Sequence, residues 1–449
     1  MISFIRNKIS RIDTHTLEVI KNASSSTLVK VVGMLASIIV SIILGRTLGA
    51  DGLGIIGLAN RIANLLLIVA LFGMPKVLIK EIAIAHNNKN WQHIGNCIRT
   101  SYVLNGIISI LIVTLFLLLT PFLIQNVFYK PQLTIPLSIA IVMIVPMVFS
   151  RIHSSGLIGL RKIWQSNLVE QTLSILVVAL LLLVFILLEI KITLINVALM
   201  YAIGRITVTL TVGIYWQNLF SYSNKKMILT SKLLKTAIPL FIVSATGVIL
   251  ASSNIIMLGW LSNSTEVGLF TVGARIALLT SFFLQVTNSA VAPKIATLYQ
   301  KKNIDELEIM IQKVTGVLFF IGLITFITLF FGGEWILGVW GNEFKEAYWT
   351  LIILGVGQLI NLSTGAVGII LVMTGHEKVE SSLSMIFIPL NLFLNFLFIS
   401  LWGGLGAAIA TAISVSGINI ARTILVKQKT GILVFPRFFF NSRKNSVHS

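Results

Sequence analysis

Acidic residues are scarce in this chain. Only 15 of 449 residues are Asp or Glu, against 34 Lys and Arg, so few groups are present to neutralise buried cations or to relay protons through a membrane. The single cysteine, Cys97, excludes an intramolecular disulfide. Six histidines (His15, His86, His93, His153, His376 and His448) fall outside the apolar runs and show no ligand spacing, so no histidine-based metal site is expected. No glycine-rich loop ends in Lys-Ser or Lys-Thr, which removes the usual phosphate cradle of a nucleotide-driven pump. Charge of either sign is thin, at 11%, where a soluble domain carries about a quarter.

Apolar sequence takes the place of what is missing. Hydrophobic residues make up 56% of the chain and the mean hydropathy is +0.95. The apolar residues gather into runs of a length that crosses ~30 Å of hydrocarbon at ~1.5 Å per residue. Twelve such runs are predicted, at 27–45, 53–73, 102–124, 133–149, 168–188, 194–215, 236–258, 267–291, 314–331, 347–372, 381–402 and 405–425. The expected fold is therefore an all-α integral membrane protein with twelve transmembrane helices.

Lys and Arg in short loops stay on the cytoplasmic side. Counted over alternate connections, 27 basic residues fall on the side shared by both chain ends, and four (Arg46, Lys130, Lys191 and Lys345) fall opposite. Both termini are thus expected in the cytoplasm. The net charge of +19 reflects this asymmetry, aided by attraction to anionic lipid, and requires no nucleic-acid partner. Charges run through the first 26 residues into a full-length span, unlike a removable signal peptide. Ile2, Ile5, Ile9 and Ile12 recur at helical spacing, so this arm is expected to lie as an amphipathic helix on the inner surface.

An internal repeat organises the chain. Leu44, Gly45, Gly54, Arg61, Ile62 and Ala63 recur as Leu258, Gly259, Gly268, Arg275, Ile276 and Ala277, at a constant offset of 214. "GLRK" at 159–162 recurs as "GHEK" at 375–378, at an offset of 216. The expected domains are an N-terminal six-helix lobe, 1–222, and a C-terminal one, 223–449. Because six is even, the two lobes are expected to be related by a parallel repeat enclosing a central cavity. No outward loop exceeds about fifteen residues, so function is expected within the membrane or at its faces.

Arg61, Arg205 and Arg275 fall well inside predicted spans, while Arg422, among the last four residues of the run 405–425, is counted with the basic tail. Turned to lipid, each of the first three would cost roughly 2.5–3.5 kcal/mol on insertion scales, so each must face something polar. Asn60 and Asn64 share the Arg61 face of their helix, and Gln285 and Ser289 lie along that of Arg275. Further polar stripes run through Lys30, Ser37 and Ser41, through Ser244 and Asn254, and through Ser384, Asn391 and Asn395. A stripe without charge also suits plain helix packing. A cavity with fixed cations and almost no acids should prefer an anion, since an arginine fork matches phosphate oxygens. The expected substrate-binding cations are Arg61, Arg275, Arg205 and Lys30, with Asn60, Asn64, Asn254, Gln285, Asn391 and Asn395 as polar lining. One arginine from each repeat would clamp a diphosphate, with sugars in the amide-lined space.

Four segments in order, "VGLFTVGARI" (267–276), "LGVWGNEFKEA" (337–347), "MTGHEK" (373–378) and "GGLGAAIAT" (403–411), resemble the bacterial polysaccharide biosynthesis exporters that flip O-antigen repeat units. These belong to the multidrug, oligosaccharidyl-lipid and polysaccharide exporter superfamily. The resemblance implies a flippase, not an enzyme, without cofactor or metal. Its cargo would be an undecaprenyl-diphosphate-linked oligosaccharide, moved from the inner to the outer leaflet of the cytoplasmic (inner) membrane by alternating access. It further implies a polysaccharide polymerase or assembly protein as partner, and related lipid II flippases carry cavity arginines that map onto Arg61 and Arg275. Where many relatives have an acid before "IMLG", this chain has Asn254, which puts proton or sodium coupling at that position in question. Two other readings stand beside this one. A cation-coupled drug antiporter of the same superfamily should carry membrane-embedded acids, and a membrane O-antigen polymerase or ligase should carry a large outward loop. His376 and Glu377 are expected to shape a cytoplasmic turn, and "NST" at Asn263 matches a glycosylation acceptor.

Overall fold

A computed structural model describes residues 14–219 and 231–435. The amphipathic arm at Ile2–Ile12, Lys225 and Lys226, and the basic tail beyond 435 lie outside the described residues. Among those described, every regular element is a helix. In chain order these are α1 (Thr14–Leu71), α2 (Met74–Asn87), α3 (Trp91–Leu123), α4 (Thr134–Val142), α5 (Ile144–Gly159), α6 (Ile163–Asn167), α7 (Leu173–Leu187) and α8 (Leu194–Leu219). They continue with α9 (Ser231–Leu261), α10 (Ser264–Leu278), α11 (Ser281–Gln300), α12 (Ile304–Gly338), α13 (Tyr348–Thr364), α14 (Val367–Met373) and α15 (Glu377–Thr430).

Among the described residues, nine helices are long and apolar enough to cross a membrane, and a tenth span is a pair, 235–249 and 251–261, bent by 52°. The chain is a multi-pass membrane protein. Two of the nine are much longer than one crossing. α1 is interrupted at Gly49 (φ 70°, ψ −177°), and α15 at Trp402 and Gly403 (φ 54°, ψ −129°). The positive φ at both glycines is a conformation that side-chain-bearing residues rarely adopt, so the breaks fall where the sequence permits them. Hydropathy places runs on either side of each break, at 27–45 and 53–73 and at 381–402 and 405–425.

Contacts divide the chain into two compact units, one of Met1–Leu48 with Ala59–Ile249, the other of Gly49–Leu58 with Leu250–Ser449. In the first, α5 packs against α2, α3 and α8. Asn105, fully buried on α3, donates from Nδ2 to the Ala70 and Leu71 carbonyls at 2.9 Å each, satisfying the orphan acceptors where α1 ends. Gly73, at φ 72°, lies so near α9 that a Cβ would meet the Ala237 carbonyl oxygen at 2.3 Å.

In the second unit, α13 packs against α10, α12 and α15. The repeated glycines explain themselves here. A Cβ on Gly54 would lie 1.9 Å from the Ser264 carbonyl oxygen, and one on Gly268 would lie 1.9 Å from that of Ala50. The repeat-equivalent glycines therefore form a reciprocal crossing in which two backbones touch, the use membrane helices make of small residues. Ser264 donates to Asp51, and Glu343 accepts from the Ala50 amide at 3.0 Å. Asn263 caps α10, its Oδ1 accepting from the Glu266 amide at 2.8 Å, a structural role for the "NST" asparagine. Residues 431–435 return over α12, where the Leu433 amide donates to Glu308 at 3.0 Å and Gln312 donates to the Leu433 carbonyl at 3.2 Å, with Ile432 and Val434 buried.

Candidate functional site

Within the first unit, α1 carries Lys30, Asn60, Arg61 and Asn64. Lys30 is exposed, and the other three are half-buried. Asn60 and Arg61 are each engaged in a polar interaction. Arg205 is carried by α8. It lines a small void of about 10 Å³, room for roughly one water, with Ser150, Arg151 and Glu170. Arg151 Nη1 pairs with Glu170 Oε2 at 2.6 Å. Ser154 donates to Glu170 Oε1 at 2.7 Å and lies 2.6 Å from the Ser166 hydroxyl. Arg151 thus pairs with the one carboxylate, and with Arg205 in the same lining the group keeps a net positive charge.

Glu170 reaches this position through a π-helical turn, Leu168–Thr172, between α6 and α7. Such turns are single-turn insertions that re-aim side chains, often at functional positions. Thr209, one turn beyond Arg205, returns its hydroxyl to the Arg205 carbonyl at 2.9 Å and to that of Pro146 at 2.8 Å, tying α8 to α5 beside the arginine.

Within the second unit, three of the predicted asparagines are brought together. Asn395 Nδ2 donates to Asn254 Oδ1 at 2.8 Å and to the Asn391 carbonyl at 2.9 Å. Asn254 Nδ2 donates to Thr411 Oγ1 at 2.7 Å, and Asn391 Nδ2 to Ser414 Oγ at 3.0 Å. The break at Trp402–Gly403 makes this possible, because it turns the second half of α15 back so that Ser414 meets a residue 23 positions earlier. Asn391 and Asn395 are buried. The Asn395 Oδ1 atom alone has no hydrogen-bond partner. The cluster is neutral throughout, with Asn254 where a carboxylate would supply charge. Of the other predicted residues of this unit, Arg275, on α10, is half-buried and engaged, while Gln285, on α11, is exposed.

Several residues were misplaced by hydropathy. Arg151, just beyond the predicted run 133–149, and Arg422, at the end of the run 405–425, both sit inside helices, α5 and α15. Arg422 holds Glu380 through Nε at 2.9 Å and through Nη2, and a polar chain continues inward through Asn419 (3.3 Å from Nη1), Asn361 and Gln358 to Ser281. His153, expected outside the spans, is buried in α5. Its Nδ1 donates to the Phe149 carbonyl at 2.9 Å, leaving Nε2 to accept from the Tyr102 hydroxyl. Helical spacing held a signal for Arg151, since Ser154 and Ser155 follow it on the next turn. The partners Glu170 and Glu380 are 19 and 42 residues distant, beyond any local pattern.

Comparison with known proteins bears on what these clusters serve. The family described as polysaccharide biosynthesis protein matches residues 19–299, and the MatE family matches 239–397. The chain is similar to the capsular polysaccharide biosynthesis protein CapF of Staphylococcus aureus, 31% identical over 178 residues, 39% of this chain and 45% of that one. It is also similar to the probable low-salt glycan biosynthesis flippase Agl15 of Haloferax volcanii, 26% identical over 162 residues, 36% of this chain and 34% of that one. These matches span less than half the length of either relative. Among solved structures, an inward-facing multidrug resistance MATE family transporter superposes with a TM-score of 0.73 at 15% identity, over 88% of this chain and 94% of that one. The lipid II flippase MurJ, in an inward closed conformation, gives 0.69 at 16%, over 91% and 87%. At such identities the likeness speaks for the fold. With a multi-pass helical fold of this type, and a family match over more than half its length, the chain belongs to the polysaccharide biosynthesis protein family of the multidrug, oligosaccharidyl-lipid and polysaccharide exporter superfamily.

Proposed function

We propose that the chain is a flippase, not an enzyme, and that it moves a lipid-linked glycan across the membrane by alternating access. Its cargo is an undecaprenyl-diphosphate-linked repeat unit of O-antigen or a similar surface polysaccharide, carried from the inner to the outer leaflet of the cytoplasmic membrane. Twelve crossings with both ends cytoplasmic complete this reading, if α1 and α15 each count as two spans and the bent pair as one. The observation that carries it is the pair Arg61 and Arg275, in-membrane arginines at equivalent places of an internal repeat, in a chain of a polysaccharide biosynthesis family. Each guanidinium offers a forked, permanently charged donor to the diphosphate. An inside-negative potential favours outward movement of such an anion by roughly 2.3 kcal/mol per charge per 100 mV, so the neutral Asn254 cluster is compatible with transport that uses no carboxylate there.

The test is cellular export, or O-antigen complementation, by Arg61→Ala, Arg275→Ala and the double variant, with membrane abundance measured separately. Loss of a charge-assisted fork predicts export down by on the order of tenfold for each single variant and further for the double. Undiminished export by the double variant at normal abundance would remove both arginines from the mechanism. The MatE match over 239–397 favours a second reading, a cation-coupled drug antiporter. That reading predicts drug resistance on expression, with no dependence of glycan export on the chain.

A further inference from the structure

A second recess, unrelated to the predicted arginine positions, lies wholly within the first unit. It has a volume of about 550 Å³ and opens between α3, α5 and α8, within the ~300–1,000 Å³ range of ligand sites. Tyr102, Phe149 and Trp216 form its aromatic wall, and Leu210 and Ile214 flank its mouth. Two polar groups of its lining are occupied by bonds within the protein. His153 is bonded on both ring nitrogens, and the Thr209 hydroxyl is bonded to two carbonyls. The aromatic wall and the aliphatic residues at the mouth suit apolar contents.

The mouth faces acyl chains. On α8, Ile203, Ile206, Leu210 and Ile214 form one exposed apolar stripe, and on α3 Val103, Ile107 and Ile110 form another. In a membrane-spanning helix such a stripe is where lipid lies. The α8 stripe runs into the recess through Leu210 and Ile214, and each helix contributes a polar residue to the lining, Gln217 on α8 and Arg99 on α3. Both residues are exposed. They stand at the helix ends that the loop charges assign to the cytoplasm, where the leaflet is richest in anionic lipid.

We propose that this recess is a binding site for an anionic phospholipid of the inner leaflet. One acyl chain fills the aromatic-walled space, and the phosphate is held by Arg99. The charge complementarity is specific in position: Arg99 stands at the helix end assigned to the cytoplasm, while Tyr102, Phe149 and Trp216 wall the recess. Gly213 keeps the space open. A Cβ built on it meets nothing within 4 Å, so a larger side chain enters the recess without displacing backbone.

Native mass spectrometry of the full-length protein, delipidated and titrated with dioleoyl phosphatidylglycerol or dioleoyl phosphatidylcholine, tests the proposal. The unmodified protein should retain phosphatidylglycerol about tenfold better, the scale of one charge-assisted contact. Arg99→Ala should abolish that preference and Arg99→Lys should keep most of it, while Gly213→Leu should lower retention of both lipids. Thermal unfolding in detergent checks that each variant remains folded. Unchanged retention in Gly213→Leu would show that the lipid binds elsewhere. Unchanged preference in Arg99→Ala would show that this arginine does not read the headgroup. Either result overturns the site.

Discussion

The two polar clusters solve the same problem with opposite chemistry. Around Glu170, two arginines, two serines and one carboxylate meet beside a water-sized void. Around Asn395, three amides and the hydroxyls of Thr411 and Ser414 meet with no charge at all. Both lie among apolar helices, where an unpaired polar group is costly. The charged cluster gains strong, short contacts, but losing Glu170 strands a charge. The neutral cluster is weaker bond by bond, since interhelical hydrogen bonds in membranes average only about 0.6 kcal/mol, yet the loss of one member leaves nothing ionised behind.

That contrast is breakable. The largest effect is expected from Glu170→Gln, which leaves Arg151 facing Arg205 without a counter-ion. Removing one partner of a fully buried pair costs about 3–5 kcal/mol. Arg151 is 33% exposed here, so about 2 kcal/mol is expected from thermal unfolding of the purified protein. If charge is the reason, the joint change Arg151→Met with Glu170→Met should recover most of that loss, and a joint variant as unstable as Glu170→Gln would end the contrast. A smaller effect sharpens it, because the same substitution can be made in each cluster. Ser154→Ala, which removes a hydrogen bond to a carboxylate, should cost about 1.5 kcal/mol. Ser414→Ala, which removes a neutral acceptor from Asn391, should cost only about 0.6 kcal/mol. Equal costs would mean that ionisation does not set the strength of these contacts.

The sequence carried much of this architecture because hydropathy and periodicity are local. The apolar runs needed only counting, and Asn391 and Asn395, one helical turn apart, announced a shared face. The repeat identified Gly54 and Gly268 as equivalent before any contact between backbones was known. The partners stayed hidden. Asn254 is 141 residues from Asn395, and nothing in either neighbourhood names the other. Arg151, Arg422 and His153 were placed in loops or a tail because a charged or titratable residue at the end of an apolar run reads as its boundary. The structure continues the helix through each of them and supplies Glu170, Glu380 or Tyr102 to meet it. The kinks at Gly49 and Gly403 were equally illegible as kinks, since a lone glycine marks a turn, a close approach or neither.

The reciprocal crossing of Gly54 and Gly268 makes one demand of the chain that is geometric rather than chemical. The Ser264–Asp51 and Ala50–Glu343 hydrogen bonds flank that junction, and the contact itself is made by backbone alone. Two bare α-carbons let main chains lie flush, and each has its counterpart in the other copy of the repeat. Tolerance at this spot is therefore measured in hydrogen atoms: a methyl group on either carbon has nowhere to go unless one strand of backbone yields.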